Sequence, residues 1–307
     1  MDPLVSIIVI TYNSSQYVLE TLESAKEQTY KNIELIVSDD GSTDDTPIIC
    51  REWIIENSCH FKRVLFVRSE KNTGTPANCN RGVKASLGEW IKVIAGDDLL
   101  DRNLLSTQIN HLRCHDDIKI LWTNVATFHD TDTERVFMIQ EGTSDLGINK
   151  DYVTCKKQFE IMLRQNPVFM GGLIFKREVL QEVGLFDESY PSFEDRPFLH
   201  KLLLNQFKLH YLDIVGAYYR QHNDSVQITD SHKLRNSFQI DVYKYEITML
   251  RYYRNVFERS LRSINARYNL FYVRHISNKK NWINRLLLYG PSMLLYSAIS
   301  SFTGRYR

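Results

Sequence analysis

Val5-Ser6-Ile7-Ile8-Val9-Ile10-Thr11-Tyr12-Asn13 is the stretch that decides the fold. Its first seven residues are almost continuously apolar and give way to polar ones. That pattern fits a strand covered on both faces, as in the middle of a parallel sheet. Residues 15–28 then show helical spacing, with Val18, Leu22 and Ala25 recurring at intervals of four and three. The alternation repeats. Ile33–Ser38, Val64–Val67 and Trp90–Ile94 read as strands. Residues 46–57, 76–87 and 101–114 read as helices, the first with Pro47 just inside a polar start. This β-α-β-α-β-α-β order predicts an α/β domain with a doubly wound, largely parallel sheet.

Further along the pattern is mixed. Ile120–Thr123, Arg135–Met138, Gly171–Phe175, Leu209–Ile214 and Gly216–Arg220 read as strands, and residues 159–165, 177–183 and 195–206 as helices. From about residue 232 a long apolar stripe takes over. Ile240, Tyr243, Ile247, Leu250, Phe257, Leu261, Ile264, Tyr268 and Phe271 follow three-four spacing on one long helix or two in line. The apolar run 286–299 is broken by Gly290-Pro291 and is shorter than the ~20 residues a bilayer span needs.

The 307 residues are 43% hydrophobic and 24% charged, a globular balance that excludes disordered and collagenous classes. The five cysteines are odd in number and never spaced C-x-x-C, which argues against a disulfide framework or zinc site and for a reducing compartment. Met1-Asp2-Pro3 leads straight into a strand, so no signal peptide is expected and the expected location is the cytoplasm. Charge is unevenly shared. Residues 231–307 hold 14 basic and 3 acidic side chains, a net +11, while the rest holds 24 and 34, a net −10. The basic end should favour an anionic partner. No aromatic-basic nucleic-acid motif accompanies it, so no nucleic-acid partner is expected.

The chain has no G-x-G-x-x-G after its first strand, no phosphate loop, no G-x-S-x-G elbow and no H-E-x-x-H. What it has is polar groups at strand ends, where open parallel sheets bind ligands. Strand one ends in Thr11-Tyr12-Asn13, strand two in Asp39-Asp40-Gly41-Ser42 and strand four in Gly96-Asp97-Asp98. A flat aromatic with carboxylate and amide groups suits a nucleobase and ribose. Adjacent carboxylates suit a hard divalent cation that also holds phosphate oxygens.

Val5–Asn13, Ile33–Thr43, Asn72–Gly82, Gly88–Asp98, Val183–Glu188, Glu194-Asp195 and the segment Tyr219-Arg220-Gln221-His222 with Ser225 resemble, in order, the family 2 inverting glycosyltransferases of GT-A fold. The resemblance implies a GT-A catalytic domain over 1–225, a Rossmann-like sheet flanked by helices. Its nucleotide-sugar half would be 1–110 and its acceptor half 111–225, followed by a basic helical extension over 226–307. It also implies roles. Thr11, Tyr12, Asn13, Asp40, Asn80 and Asp97 would bind the nucleotide sugar. Asp98, with His222, would hold a divalent metal, Mn²⁺ or Mg²⁺. Asp195 would be the general base, with Glu194 beside it.

The implied function is transfer of a hexose from a UDP-sugar to a hydroxyl of a glycan or lipid-linked glycan in cell-surface polysaccharide synthesis. Asp195 sits at a helix start, where a carboxylate is stabilised, so its pKa need not be high. The extension is expected to pack through 238–275, with a homodimer through the same stripe as the alternative, and to meet an anionic membrane, the inner face of the plasma membrane, through 279–307. Two departures keep other readings open. Ala95 stands where the family often has an acid, and Cys79 where many members have Arg, which shifts diphosphate contacts toward Arg81 or Lys71. A non-catalytic nucleotide-sugar or glycan-binding module is one alternative, and a nucleotidyltransferase on a similar sheet is the other.

Overall fold

A computed structural model describes residues 2–130, 135–139, 147–222 and 235–302. Ser225 and residues 303–307, invoked above, lie outside them. The first unit runs β1 (Val5–Thr11), α1 (Val18–Lys26), β2 (Ile33–Asp39), α2 (Thr46–Asn57), β3 (Arg63–Arg68), α3 (Thr75–Ala85), β4 (Trp90–Ala95), β5 (Leu99–Leu100) and α4 (Leu104–Arg113). It continues through β6 (Ile120–Asp130), β7 (Arg135–Ile139), α5 (Cys155–Met162), β8 (Ile174–Lys176), α6 (Arg177–Val183), α7 (Asp195–Leu204) and β9 (His210–Arg220). The strands form one sheet in the order β3-β2-β1-β4-β8-β6-β9-β5, with β7 on β6. The block β3-β2-β1-β4 is parallel, as expected. Beyond it the sheet is mixed, because β8 runs antiparallel to both β4 and β6. The buried run of β1 lies between β2 and β4, with Ile7, Ile8 and Val9 at 0% exposure.

Three local expectations change. Leu209–Ile214 and Gly216–Arg220 are a single strand, β9. Its pairing with β6 jumps from Thr123↔Leu212 to Asn124↔Val215, so the apparent break is a bulge. Gly171-Gly172 form a tight helical turn rather than the start of β8. α5 begins earlier than its apolar spacing implies, because Thr154 caps it by accepting the Lys157 N–H at 3.2 Å.

The second compact unit comprises residues 189–193 and 223–307. Its described helices are α8 (Ser237–Met249), α9 (Val256–Phe271) and α10 (Trp282–Phe302). The apolar stripe does not become the buried seam. Phe257, Ile264 and Phe271 are exposed, and α9 turns Glu258, Ala266 and Asn269 inward. Polar pairing selects that face: Glu258 meets Arg262 at 3.1 Å, and Asn269 accepts from the buried Arg235 guanidinium at 3.0–3.1 Å. α10 also passes through Pro291 instead of stopping there. Proline removes the N–H that would bond the carbonyl four residues back. That carbonyl, Leu287 O, accepts the Tyr268 hydroxyl at 2.6 Å instead.

The N-terminal edge of the sheet is fixed by one buried acid. Ser6, Glu34 and Arg63 lie in register across β1, β2 and β3. Glu34 accepts from Ser6 Oγ at 2.6 Å, Arg63 at 2.8 Å, the Gly88 N–H at 2.8 Å and the Leu87 N–H. Burial works to raise its pKa, but these donors outweigh it and hold the carboxyl below its usual value. Glu34→Ala would strand the two loop N–H groups and cost about 3 kcal/mol, read as a fall in the denaturant midpoint. Because the folded pKa is depressed, the Glu34 contribution is complete above its unfolded pKa of about 4.3 and is lost as pH falls through the lower folded value. The gap between wild type and variant should therefore close in acid.

Candidate active site

The end of β1 is where three strands deliver their polar groups. Thr11 is buried, and its carbonyl accepts the Asp40 N–H at 2.9 Å and Asn78 Nδ2 at 3.2 Å. Its hydroxyl donates to Asp39 at 3.1 Å. From the other side β4 closes in. Gly96 donates its N–H to Ile10 O at 2.9 Å, and a Cβ on Gly96 would stand 2.8 Å from the Thr11 methyl. Only glycine lets Asp97 and Asp98 begin so close to β1. Tyr12 follows with 45% of its surface exposed. Asn13, at φ 51°, accepts the Thr43 N–H at 2.9 Å and donates its own N–H to Ser42 Oγ at the same distance.

Asp40 is buried at the mouth of β2 and serves as a hub. Oδ2 accepts the N–H groups of Thr73 and Gly74 at 2.9 and 2.8 Å. Oδ1 accepts Thr73 Oγ1 at 2.5 Å and Arg81 at 3.1 Å. Those four bonds match the ~4 lone-pair sites of a carboxylate. A base N–H would have to replace one of them. Arg81 is equally committed, to Asp40, to Thr73 Oγ1 at 2.8 Å and to Asn78 Oδ1 at 2.9 Å. Asn80 faces another way. It donates to Phe186 O at 3.0 Å and Glu188 at 2.7 Å, and accepts the Phe186 N–H at 2.9 Å. Its amide anchors the 186–188 turn to α3. Cys79, between these residues, has its thiol pushed well up by burial, then by the charges of Glu194 and Asp40.

Asp97 and Asp98 meet the end of β9. Asp98 is 8% exposed; its Oδ1 accepts the Arg220 N–H at 3.0 Å and its carbonyl accepts Thr21 Oγ1 at 2.8 Å. Arg220 Nε donates to Asp97 O at 2.8 Å, and another nitrogen pairs with Glu20 at 3.2 Å. His222 Nε2 is 3.0 Å from Asp97 Oδ2, its ring lies 4.5 Å from that of Tyr17, and its buried Nδ1 finds no partner among the described residues. Burial, then the Asp97 charge, push the Asp98 carboxyl well above the usual range despite Arg220. A buried carboxyl with a second, half-buried carboxylate beside it is short of positive charge. Among the described residues no three His, Cys, Asp or Glu side chains converge as a closed cage. The donor set suits a hard cation held by one or two carboxylates that takes its other ligands from phosphate and water.

Glu194 and Asp195 open α7 and are half-buried. Asn166 Nδ2 donates to Asp195 Oδ2 at 2.8 Å, and the Arg196 N–H to Oδ1 at 2.5 Å. The Arg196 guanidinium turns back to Met162 O and Leu163 O at 2.6–3.2 Å. The pKa of Asp195 is raised. Burial outweighs the helix-start N–H, the Arg196 charge and the Asn166 amide, so the stabilisation expected at a helix start does not keep the pKa from rising. Glu194 is raised too, by burial and then by Asp195.

The structure thus gathers Thr11, Asp40 and Asp97-Asp98 at one rim and brings His222 to Asp97. Sequence reasoning missed Arg220, Thr73 and Asn166. Arg220 lies inside a quoted motif, so its position gave a signal. Asn166 lies in a segment with no periodicity to mark it.

Residues 6–184 match the family described as Glycosyl transferase family 2. Glycosyltransferase GlyG of Streptococcus pneumoniae is 25% identical over 237 residues, 75% of this chain and 75% of that protein. An Escherichia coli protein, UDP-Glc:alpha-D-GlcNAc-diphosphoundecaprenol beta-1,3-glucosyltransferase WfaP, is 29% identical over 230 residues, 73% of this chain and 79% of that one. Among solved structures, S. aureus TarS 1–349 in complex with UDP-GlcNAc superposes with a TM-score of 0.61 at 19% identity, covering 96% of this chain and 81% of that one. This chain spans 49% of a longer TarS chain. At that identity the likeness speaks for the fold alone, which is GT-A. The family match takes in more than half of the residues, and the protein belongs to glycosyl transferase family 2.

Proposed function

We propose that this chain transfers a sugar from a UDP-sugar to a hydroxyl of a glycan or lipid-linked glycan, inverting the anomeric carbon, in the synthesis of cell-surface polysaccharide. The observation that carries the reading is the setting of Asp195. Its carboxylate is half-buried and gripped on both oxygens, by Asn166 at 2.8 Å and the Arg196 N–H at 2.5 Å, at the start of a helix. The name of the Escherichia coli relative gives a UDP-sugar donor and a diphosphoundecaprenol acceptor, which supports both substrate classes. The cysteine pattern of the sequence supports a cytoplasmic setting.

Thr11, Tyr12 and Asn13 line the base and ribose end, and Asp40 orders the 73–74 turn beside them. Asn80 acts from behind, through the 186–188 turn. Asp97 faces the ribose or sugar. Asp98, with His222, would hold Mg²⁺ or Mn²⁺, which when bound supplies Lewis-acid neutralisation of the diphosphate. Asp195 takes the proton of the acceptor hydroxyl as its oxygen attacks the anomeric carbon. The bond to the diphosphate breaks on the opposite face, and its electron pair leaves with the nucleotide. Asp195 then gives its proton to solvent. Base catalysis of this kind is worth roughly 10²–10⁴-fold. Asn166 and the Arg196 N–H stabilise the ionised form that the step requires, against the burial that disfavours it.

The defining experiment is turnover of UDP-sugars with Mn²⁺ or Mg²⁺ in wild type, Asp195→Asn and Asp98→Ala. Asp195→Asn should lower kcat by about 10²-fold or more while leaving UDP affinity unchanged. Full activity in that variant would remove the base assignment. Asp98→Ala should abolish the part of UDP binding that depends on the divalent ion, measured by titration calorimetry with and without Mn²⁺. A third outcome concerns pH. Because Asp195 must be ionised and its pKa is raised, kcat/KM should fall in acid along a limb lying above the ordinary carboxylate value of about 3.9. Asn166→Ala removes a donor to the charged form, so its acid limb should move to still higher pH, and Asn166→Gln should restore part of the shift.

A further inference from the structure

Helix α10 is built inside out. Asn284, Leu288 and Ser292, spaced by four, are its buried residues among those whose side chains are described. Two of the three are polar, and both are satisfied. Asn284 accepts the Tyr272 hydroxyl at 2.9 Å and donates to Ser277 Oγ and Lys279 O at 2.9 Å. Ser292 Oγ accepts from Asn269 at 3.0 Å. The outward side carries Trp282 and Leu294, each 74% exposed, with Ile283, Leu286, Leu287 and Met293 also exposed. A helix that faces water has the reverse arrangement, with its apolar stripe turned in. So much large apolar surface in one element marks a place of contact.

The charges identify what covers it. Arg274, Lys279, Lys280 and Arg285 are all exposed, and among the described residues none pairs with a carboxylate. Residues 259–307 contain nine Lys or Arg and no Asp or Glu. A second copy of the same face would bring like charges together, which disfavours self-pairing. Among the described residues no helix is long and apolar enough to cross a membrane. The combination of a tryptophan, exposed leucines and flanking cations is that of a helix lying in the interface of an anionic bilayer. We propose that α10 docks flat on an anionic lipid surface, its outward apolar residues entering the acyl boundary and Lys279, Lys280 and Arg285 meeting headgroup phosphates. The proposal is independent of the sugar-transfer reading, since it rests on this helix and the basic residues that lead into it.

The test is cosedimentation of the full chain with phosphatidylcholine vesicles, with and without phosphatidylglycerol. The wild type should bind the anionic vesicles, release as salt rises, and show a blue shift of tryptophan emission that Trp282→Phe abolishes. Leu286→Glu with Leu294→Glu, and separately Lys279→Gln with Lys280→Gln and Arg285→Gln, should each weaken partitioning about tenfold or more. The substituted side chains are exposed, so both variants should keep the wild-type melting temperature. No binding to anionic vesicles, or equal binding by the Leu286→Glu, Leu294→Glu variant, overturns the proposal. So does a wild-type dimer in light scattering that this variant turns into monomer, because the face would then belong to a second copy.

Discussion

A guanidinium with 1% exposure cannot be left unpaired, and much of the candidate site follows from how Arg220 is satisfied. Its main-chain N–H goes to the Asp98 carboxyl, its Nε to the Asp97 carbonyl and a terminal nitrogen to Glu20. Its flat faces lie 4.8 Å from the Tyr17 ring and 4.6 Å from the Phe128 ring. One residue at the end of β9 thereby fixes the acidic turn after β4 and the first turns of α1. His222, two residues on, reaches Asp97 because Arg220 has already set the strand end in place. Elements separated by more than a hundred residues of chain are joined through a single ionised side chain.

The sequence made the parallel half of the sheet legible, because Val5–Thr11 and its successors carry the uninterrupted apolar runs of doubly covered strands. Strand-end acids followed from the same logic. The mixed half was harder. β8 has three residues, β5 has two, and neither is long enough to show a period. The bulge in β9 looked like a chain break, since Asp213, Ile214 and Gly216 oppose no β6 residue and erase the alternation. In the site, the identity of the acids was readable but their bonding was not. Asp40 turned out to have its oxygens occupied by Thr73, Gly74 and Arg81, and Asn80 to point toward Phe186. Such pairings depend on turns whose shape no residue pattern announces. The long C-terminal stripe misled for a related reason. Spacing tells which residues share a face, but polar side chains able to pair decided which face turned inward.

The acids divide by the number of donors that reach them. Glu34 collects enough to lie below its usual pKa in spite of full burial. Asp98 and Asp195 do not, and both are raised. Burial works to raise all three; Glu34 is offset by four donors, whereas Asp98 has one backbone donor and the charge of Asp97 beside it, and Asp195 has too few donors to offset burial. A structural carboxylate is saturated by its own chain. One that is to exchange a proton or share a cation keeps part of its demand unmet until another molecule supplies it.

The five residues just before Glu194 belong to the second compact unit and not to the sheet-bearing one. Tyr190 packs edge-on to Tyr245 at 5.2 Å, Phe193 meets Phe238 at 5.3 Å, and the Ser192 N–H bonds Asp241 at 3.0 Å. A version ending near residue 225 would leave Tyr190, Ser192 and Phe193 without these partners, so a shortened chain that is to keep the 189–193 segment packed must retain α8.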